Sequence, residues 1–160
     1  MTTTIEEIAK ILLNKGLTVS TTESCTGGLL SSKLTDISGS SAFIRLNLVT
    51  YSNEAKHKML GVRNETLENF GAVSEECSFE MARGLQKLTD SDICISTTGI
   101  AGPTGGTEEK PVGLMFSTIC TKEKALTFQV NFHPEIPRIE MKELFTQAVL
   151  EKFYDFLQKY

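Results

Sequence analysis

The sequence predicts an α/β protein, a three-layer α/β/α sandwich built on a mixed sheet. Three observations carry that expectation. Segments with helical spacing of apolar residues alternate with short β-rich runs along the chain. Forty per cent of the residues are apolar, enough for a packed core. The length, 160 residues, is that of one domain, so residues 1–160 read as a single domain.

Taken in order, Thr4 and Glu7 form a capping box ahead of Ile8, Ile11 and Leu12 at helical spacing, and Gly16 ends that helix. Leu17 to Thr22 reads as a strand. Glu23 to Gly28 is a turn that opens a short helix, Leu29 to Leu34. Asp36 to Ser41 is a loop. Ala42 to Tyr51, with Phe43, Ile44, Leu46, Leu48 and Val49, is a buried strand. Asn53 caps a helix through Leu60, and a short helix covers Thr66 to Phe70. Ser74 caps a longer one, its core stripe Cys77, Met81, Ala82, Leu85 and Leu88. Asp92 to Thr98 is a strand, and Gly99 to Gly113 a glycine-rich loop. Leu114 to Thr121 and Ala125 to Phe132 form a hairpin, and a last helix starts near Ile136.

Composition excludes several functions. Sixteen Lys and Arg against 20 Asp and Glu give a net charge of -4, which disfavours general nucleic-acid binding and leaves room only for a local basic patch. No apolar run approaches the roughly 20 residues that span a bilayer, and no signal peptide is visible, so a cytoplasmic protein is expected. Cys25, Cys77, Cys94 and Cys120 form no C-x-x-C pair, and only His57 and His133 are present. Structural zinc, a redox dithiol and a Ser-His relay therefore lack material.

Three segments have chemical potential. Thr22 to Gly28 is a strand-to-helix turn in which glycines bring backbone N–H groups close to an anion, with Ser24 and Thr26 as extra donors. The same residues suit a capped tight turn. Gly39-Ser40-Ser41, followed by Tyr51 and Lys56, offers a hydroxyl and a lysine base. An ordinary lysine, with a pKa of about 10.4, is almost wholly protonated near pH 7, so burial or a nearby cation must depress it. On spacing alone these are equally a loop serine, a strand-end tyrosine and a solvated lysine. Thr98 to Gly113 holds five glycines after a strand and suits a phosphate or an oxyanion; it also suits a long surface hairpin. Cys25 reads as a small buried thiol, and Arg138, in the first turn of the last helix, as a mild pointer to an anionic partner.

Five ordered motifs carry a resemblance: Glu23-Ser24-Cys25-Thr26-Gly27-Gly28; Gly39-Ser40-Ser41; Val49 to Lys56; Gly71-Ala72-Val73-Ser74-Glu75; and Thr98 to Pro103 with Glu109 to Gly113. Together they resemble the CinA C-terminal domain family, the PncC-type nicotinamide-nucleotide amidohydrolases, over nearly the whole chain. A molybdenum-cofactor-binding-like domain precedes this module in longer members, so the sequence looks like the stand-alone form. The resemblance implies hydrolysis of nicotinamide mononucleotide to nicotinate mononucleotide and ammonia, with no cofactor and no metal. It implies Ser41 as nucleophile, with Tyr51 and Lys56 as the activating pair. Thr26, Gly27, Gly28, Thr98, Gly99, Gly102, Gly105 and Arg138 are expected to bind the substrate, the two glycine-rich segments sharing phosphate and ribose. It also implies a homodimer, a small nucleotide as ligand, and no membrane or nucleic-acid partner.

One departure stands out. The family's G-D-R-x-x-x-R at the start of the last helix is here Ile136-Pro137-Arg138-Ile139-Glu140-Met141-Lys142. Lys142 replaces the second arginine, and lysine does not supply a planar bidentate donor. The competing expectation is therefore a non-catalytic nucleotide- or partner-binding module.

Overall fold

Residues 5–160 are described in a computed structural model of the chain. The cap expected at Thr4 lies outside the described residues. Helix α1 (Ile5–Lys15) has Glu6 and Glu7 in its first turn and Lys15 in its last, the favourable signs at both ends of a helix dipole. Strand β1 (Val19–Glu23) leads to α2 (Leu29–Leu34), a 3₁₀ turn (Ser40–Ala42) and β2 (Ile44–Val49). Helices α3 (Asn53–Leu60), α4 (Asn64–Phe70) and α5 (Glu75–Thr89) lead to β3 (Ile93–Gly99). Strands β4 (Leu114–Cys120) and β5 (Ala125–Asn131) form a hairpin, and α6 (Arg138–Gln158) closes the fold.

The sheet runs β2-β1-β3-β4-β5. β1 is parallel to β2 and to β3, and the remaining pairs are antiparallel, so the sheet is mixed as the sequence predicts. The strand period of two separates the core into two clusters. Ile93, Ile95 and Ile119 join α1, α2 and α6 on one face. Cys94 and Cys120 join the α3–α5 side on the other. That makes three layers.

Central β1 is buried along all five residues, yet its sequence is Val-Ser-Thr-Thr-Glu. Buried hydroxyls need partners. Ser20 meets Ser91 at 2.7 Å, Thr21 donates to Asn47 at 2.8 Å, and Thr22 meets Thr50 at 2.7 Å. Hydroxyl pairs thus tie the strand to its surroundings in addition to apolar packing.

Three local expectations shift. The cap of α3 is Ser52, whose extended backbone lets its hydroxyl accept from the Ala55 N–H, while Asn53 is already helical. The strand expected to be buried from Ala42 to Tyr51 is shorter, because 40–42 turn before it, and it is not buried: β2 is an edge strand whose residues are all half-buried or exposed, Val49 among the latter. Leu88, in the last turn of α5, is exposed instead of joining the stripe.

β1 sits where the chain changes direction: α2 carries it to β2 on one side, α3–α5 to β3 on the other. In open α/β sheets the crevice beyond the strand carboxyl ends at such a point is where ligands bind.

Candidate active site

Past the carboxyl end of β2 lies Lys56, in the first turn of α3 and only 1% exposed. Its Nζ donates to the Thr50 carbonyl at 2.9 Å, the Tyr51 carbonyl at 3.3 Å and the Ser24 Oγ at 3.1 Å. None of the ion pairs among the described residues involves it. Burial holds its pKa below the ordinary 10.5. A helix's first turn disfavours a cation as well. Once Nζ has given up a proton, its lone pair faces the Ser24 hydroxyl, and a hydroxyl on a buried neutral amine is a nucleophile–base pair.

Ser24 follows directly on the end of β1 and is almost wholly buried. Its N–H donates to the Thr97 carbonyl at 3.1 Å and to the Thr97 Oγ1 at 3.3 Å. The Gly27 N–H closes the turn on the Ser24 carbonyl at 3.0 Å, with Gly27 at φ 61°, a conformation that suits glycine. β1–β2 pairing continues one residue past the strand through the Thr50 N–H on the Glu23 carbonyl, which sets Thr50 and Tyr51 beside Ser24.

Ser41 does not reach this place. It is exposed in the 3₁₀ turn before β2, whereas Tyr51 and Lys56 follow β2. The strand between them has six residues, about 20 Å of extended chain. Within one chain the expected nucleophile is at the amino edge of the sheet and its expected base at the carboxyl edge.

The glycine turn also differs from its expected use. The Glu23 carboxylate, itself fully buried, accepts from the N–H groups of Gly28 (3.2 Å), Leu30 (2.9 Å) and Ser31 (2.9 Å). It accepts further from the hydroxyls of Thr26 and Ser31, both at 2.5 Å. Of the glycine amides expected to hold a phosphate, that of Gly28 is taken by the chain's own anion and that of Gly27 by the Ser24 carbonyl. The Thr26 hydroxyl is likewise taken by Glu23, and the Thr98 hydroxyl by the Ala72 carbonyl at 2.8 Å.

The second glycine-rich segment does line a cleft. Gly99, Gly102, Gly105, Tyr51, Cys25 and Arg138 surround about 210 Å³. Among the described residues, no backbone hydrogen bond is donated by Ala101 or Gly102, though both are buried. A Cβ on Gly102 would meet Val112 Cγ1 at 2.4 Å, so the loop packs only with glycine there. Arg138 bridges the mouth, donating to the Gly102 carbonyl at 2.6 Å and the Tyr51 hydroxyl at 3.0 Å. One turn on, Lys142 Nζ lies 3.4 Å from where a Gly27 Cβ would stand, and no ion pair among the described residues claims it. Burial pushes the Cys25 thiol up to about 12, so it lines the cleft as a neutral S–H.

Of the expected site residues, then, the fold lines one cleft with Tyr51, Gly99, Gly102, Gly105 and Arg138, and it buries Lys56 behind that cleft on the Tyr51 backbone carbonyl. It turns Thr26, Gly28 and Thr98 inward to structural partners and leaves Gly27 beneath Lys142. Sequence reasoning saw Ser24 as an anion donor and missed it as the partner of Lys56. The available signal was its place: the first residue after a strand flanked by parallel neighbours, in a turn that leads into a helix.

A CinA-like protein from Chloroherpeton thalassium is 52% identical over 147 residues, 91% of this chain and 35% of that protein. The chain spans about a third of the length of the curated relatives it matches. The crystal structure of competence/damage inducible protein CihA from Agrobacterium tumefaciens is 40% identical, with a TM-score of 0.89 over 99% of both chains. That of competence damage-inducible protein A (ComA) from Klebsiella pneumoniae subsp. pneumoniae MGH 78578 is 33% identical, with a TM-score of 0.93 over 98% of this chain and 96% of that one. Among the described residues no helix is long and apolar enough to cross a membrane. With the CinA C-terminal domain model matching residues 1–157, this chain belongs to the CinA C-terminal domain family.

Proposed function

We propose that the chain is a serine amidohydrolase that converts nicotinamide mononucleotide to nicotinate mononucleotide and ammonia, with Ser24 as nucleophile and Lys56 as base. One observation carries the chemistry: a lysine 1% exposed, with no carboxylate partner, holding its Nζ 3.1 Å from a serine hydroxyl at the carboxyl end of the parallel strands. The substrate itself comes from the family resemblance.

Neutral Lys56 takes the Ser24 proton while Oγ attacks the carboxamide carbon. The tetrahedral oxyanion needs preorganised donors, and the unclaimed N–H groups of Ala101 and Gly102 supply them. Lys56 returns the proton to the departing nitrogen, and ammonia leaves. Water then attacks the acyl-serine ester, giving its proton to Lys56, and the carboxylate product departs with Ser24 restored. The positive charge of the pyridinium favours neutral Lys56 by like-charge repulsion.

With Glu23 filling the α2 amides, the phosphate falls to Arg138 and Lys142. Ligand pockets typically enclose about 300–1,000 Å³, more than this cleft does with Arg138 across it. A phosphate is a stronger acceptor for a guanidinium than a carbonyl or a phenol. Arg138 therefore exchanges Gly102 and Tyr51 for the phosphate, and the cleft widens as it does.

The test is incubation of purified chain with nicotinamide mononucleotide, following ammonia and nicotinate mononucleotide, beside Ser24→Ala. Turnover that the variant loses supports the reading. Calorimetric binding without turnover assigns the chain to nucleotide binding instead. The homodimer implied by the resemblance is tested by light scattering on the same sample.

A further inference from the structure

Glu23 is the one fully buried carboxylate among the described residues, and no cation pairs with it. Its five hydrogen bonds are all accepted. A buried charge of this kind is tolerated only with its lone pairs satisfied. Four of the five bonds serve the start of α2. The fifth leads elsewhere.

Thr26 gives its only hydroxyl proton to Glu23 Oε1 at 2.5 Å. In the 2.8 Å contact between Thr26 Oγ1 and Thr97 Oγ1, Thr97 is therefore the donor. Thr97 Oγ1 in turn shares the Ser24 N–H, at 3.3 Å, with the Thr97 carbonyl at 3.1 Å. The bonds run in one direction, from the Ser24 backbone through Thr97 and Thr26 to the carboxylate. Chains of hydrogen bonds aligned in this way strengthen one another in a low-dielectric interior. The other side of Ser24 is held by Lys56.

We infer that Glu23 is a positioning residue for Ser24: acting through Thr26 and Thr97, it fixes the serine turn so that Oγ stays on Lys56 Nζ. This rests on the Ser24–Lys56 pair proposed above. It gives the anion in the first glycine turn a task in the reaction without contact with the substrate.

Two hydroxyls make a matched control. Thr26 and Ser31 each donate to a Glu23 oxygen, and each lies 2.8 Å from a second threonine hydroxyl, Thr97 or Thr21. Only Thr26 stands on the line to Ser24. The probe is an alkyl fluorophosphonate: Ser24 Oγ attacks phosphorus, fluoride leaves, and the hydroxyl proton passes to Lys56. The rate of adduct formation at Ser24 is read by peptide mass spectrometry, and melting temperatures are read beside it.

In Thr26→Val the labelling rate is expected to fall about tenfold, whereas Ser31→Ala stays within about twofold at a similar loss of melting temperature. Glu23→Gln, which sets an amide donor against donors, is expected to fall at least as far as Thr26→Val. With nicotinamide mononucleotide the loss appears in kcat, with KM little changed. Equal labelling in the wild type, Thr26→Val and Glu23→Gln overturns the inference and leaves the serine–lysine pair standing. Equal falls in Thr26→Val and Ser31→Ala reduce Glu23 to a helix cap and overturn it too. A wild-type chain that takes no label at Ser24 overturns the pair itself, and this inference with it.

Discussion

Two serines beside glycine-containing turns stand at opposite ends of the parallel part of the sheet, and they differ in everything that makes a nucleophile. Ser24, at the carboxyl end, is buried against an amine and fixed through its own N–H. Ser41, at the amino end, is exposed in a short turn, with none of its side-chain bonds among those the structure records. Both sit in glycine–serine motifs. What separates them is the direction of β2, which sends Thr50, Tyr51 and Lys56 to one edge only. Reactivity follows from the amine's position, since an isolated serine hydroxyl is a weak nucleophile.

The largest expected effect breaks this comparison outright. Ser24→Ala should lower kcat on nicotinamide mononucleotide by about a thousandfold or more. Ser41→Ala should stay within about threefold. Ammonia release measures both, and the reverse outcome would return the nucleophile to the amino edge.

Lys56→Met should match the Ser24→Ala loss, and Lys56→Arg should not restore it, because a guanidinium stays protonated. The same residue gives a stability signature. Burial lowers its pKa from 10.5, so the unfolded chain binds that proton more tightly than the folded one. Its contribution to stability is therefore present above the folded pKa, builds up to about pH 10.5, and is lost as pH falls. The difference in urea midpoint between Lys56→Met and the wild type should accordingly narrow as pH is raised from 7 toward 10. A difference that is flat with pH would mean the amine is not held neutral by folding.

A smaller effect separates binding from chemistry at the carboxyl edge. Arg138→Gln should raise KM for the mononucleotide by about tenfold to a hundredfold and leave the riboside, which lacks the phosphate, little changed. Lys142→Arg should shift KM only a few-fold, because a partly buried ammonium already stands there. Equal effects on nucleotide and riboside would remove the phosphate from Arg138.

The smallest effect belongs to the quiet edge. Gly39 has φ 90°, and a Cβ there would meet nothing within 4 Å. Gly39→Ala should cost about 1 kcal/mol in backbone strain and leave kcat unchanged, read by denaturant melts and assay. A large loss of activity would tie the amino edge to the site.

Much of the fold was legible because it rests on local rules. The Ser74 cap, the apolar stripe of α5 and the glycine stop after α1 come from side chains within a few residues of each other. The resemblance singled out Arg138, Tyr51 and the Gly99–Gly105 segment, which line one cleft, but not that the Tyr51 hydroxyl meets Arg138 while Lys56 meets Tyr51 only at its backbone carbonyl. Ser24 as partner of Lys56 was not legible, because 32 residues separate them and only strand order joins them. Nor was the filling of the first glycine turn, since glycine and threonine beside a helix start suit an outside anion as well as an inside one.

By itself the sequence determined the layers, the periods, the net acidic charge and the family motifs. The tertiary structure decided which of two serines meets the lysine, which glycine turn is open, and that the lysine is buried at all. The reason is physical. Period and propensity act over one or two turns of chain, whereas desolvation and hydrogen-bond partnership depend on which distant segments the sheet brings side by side.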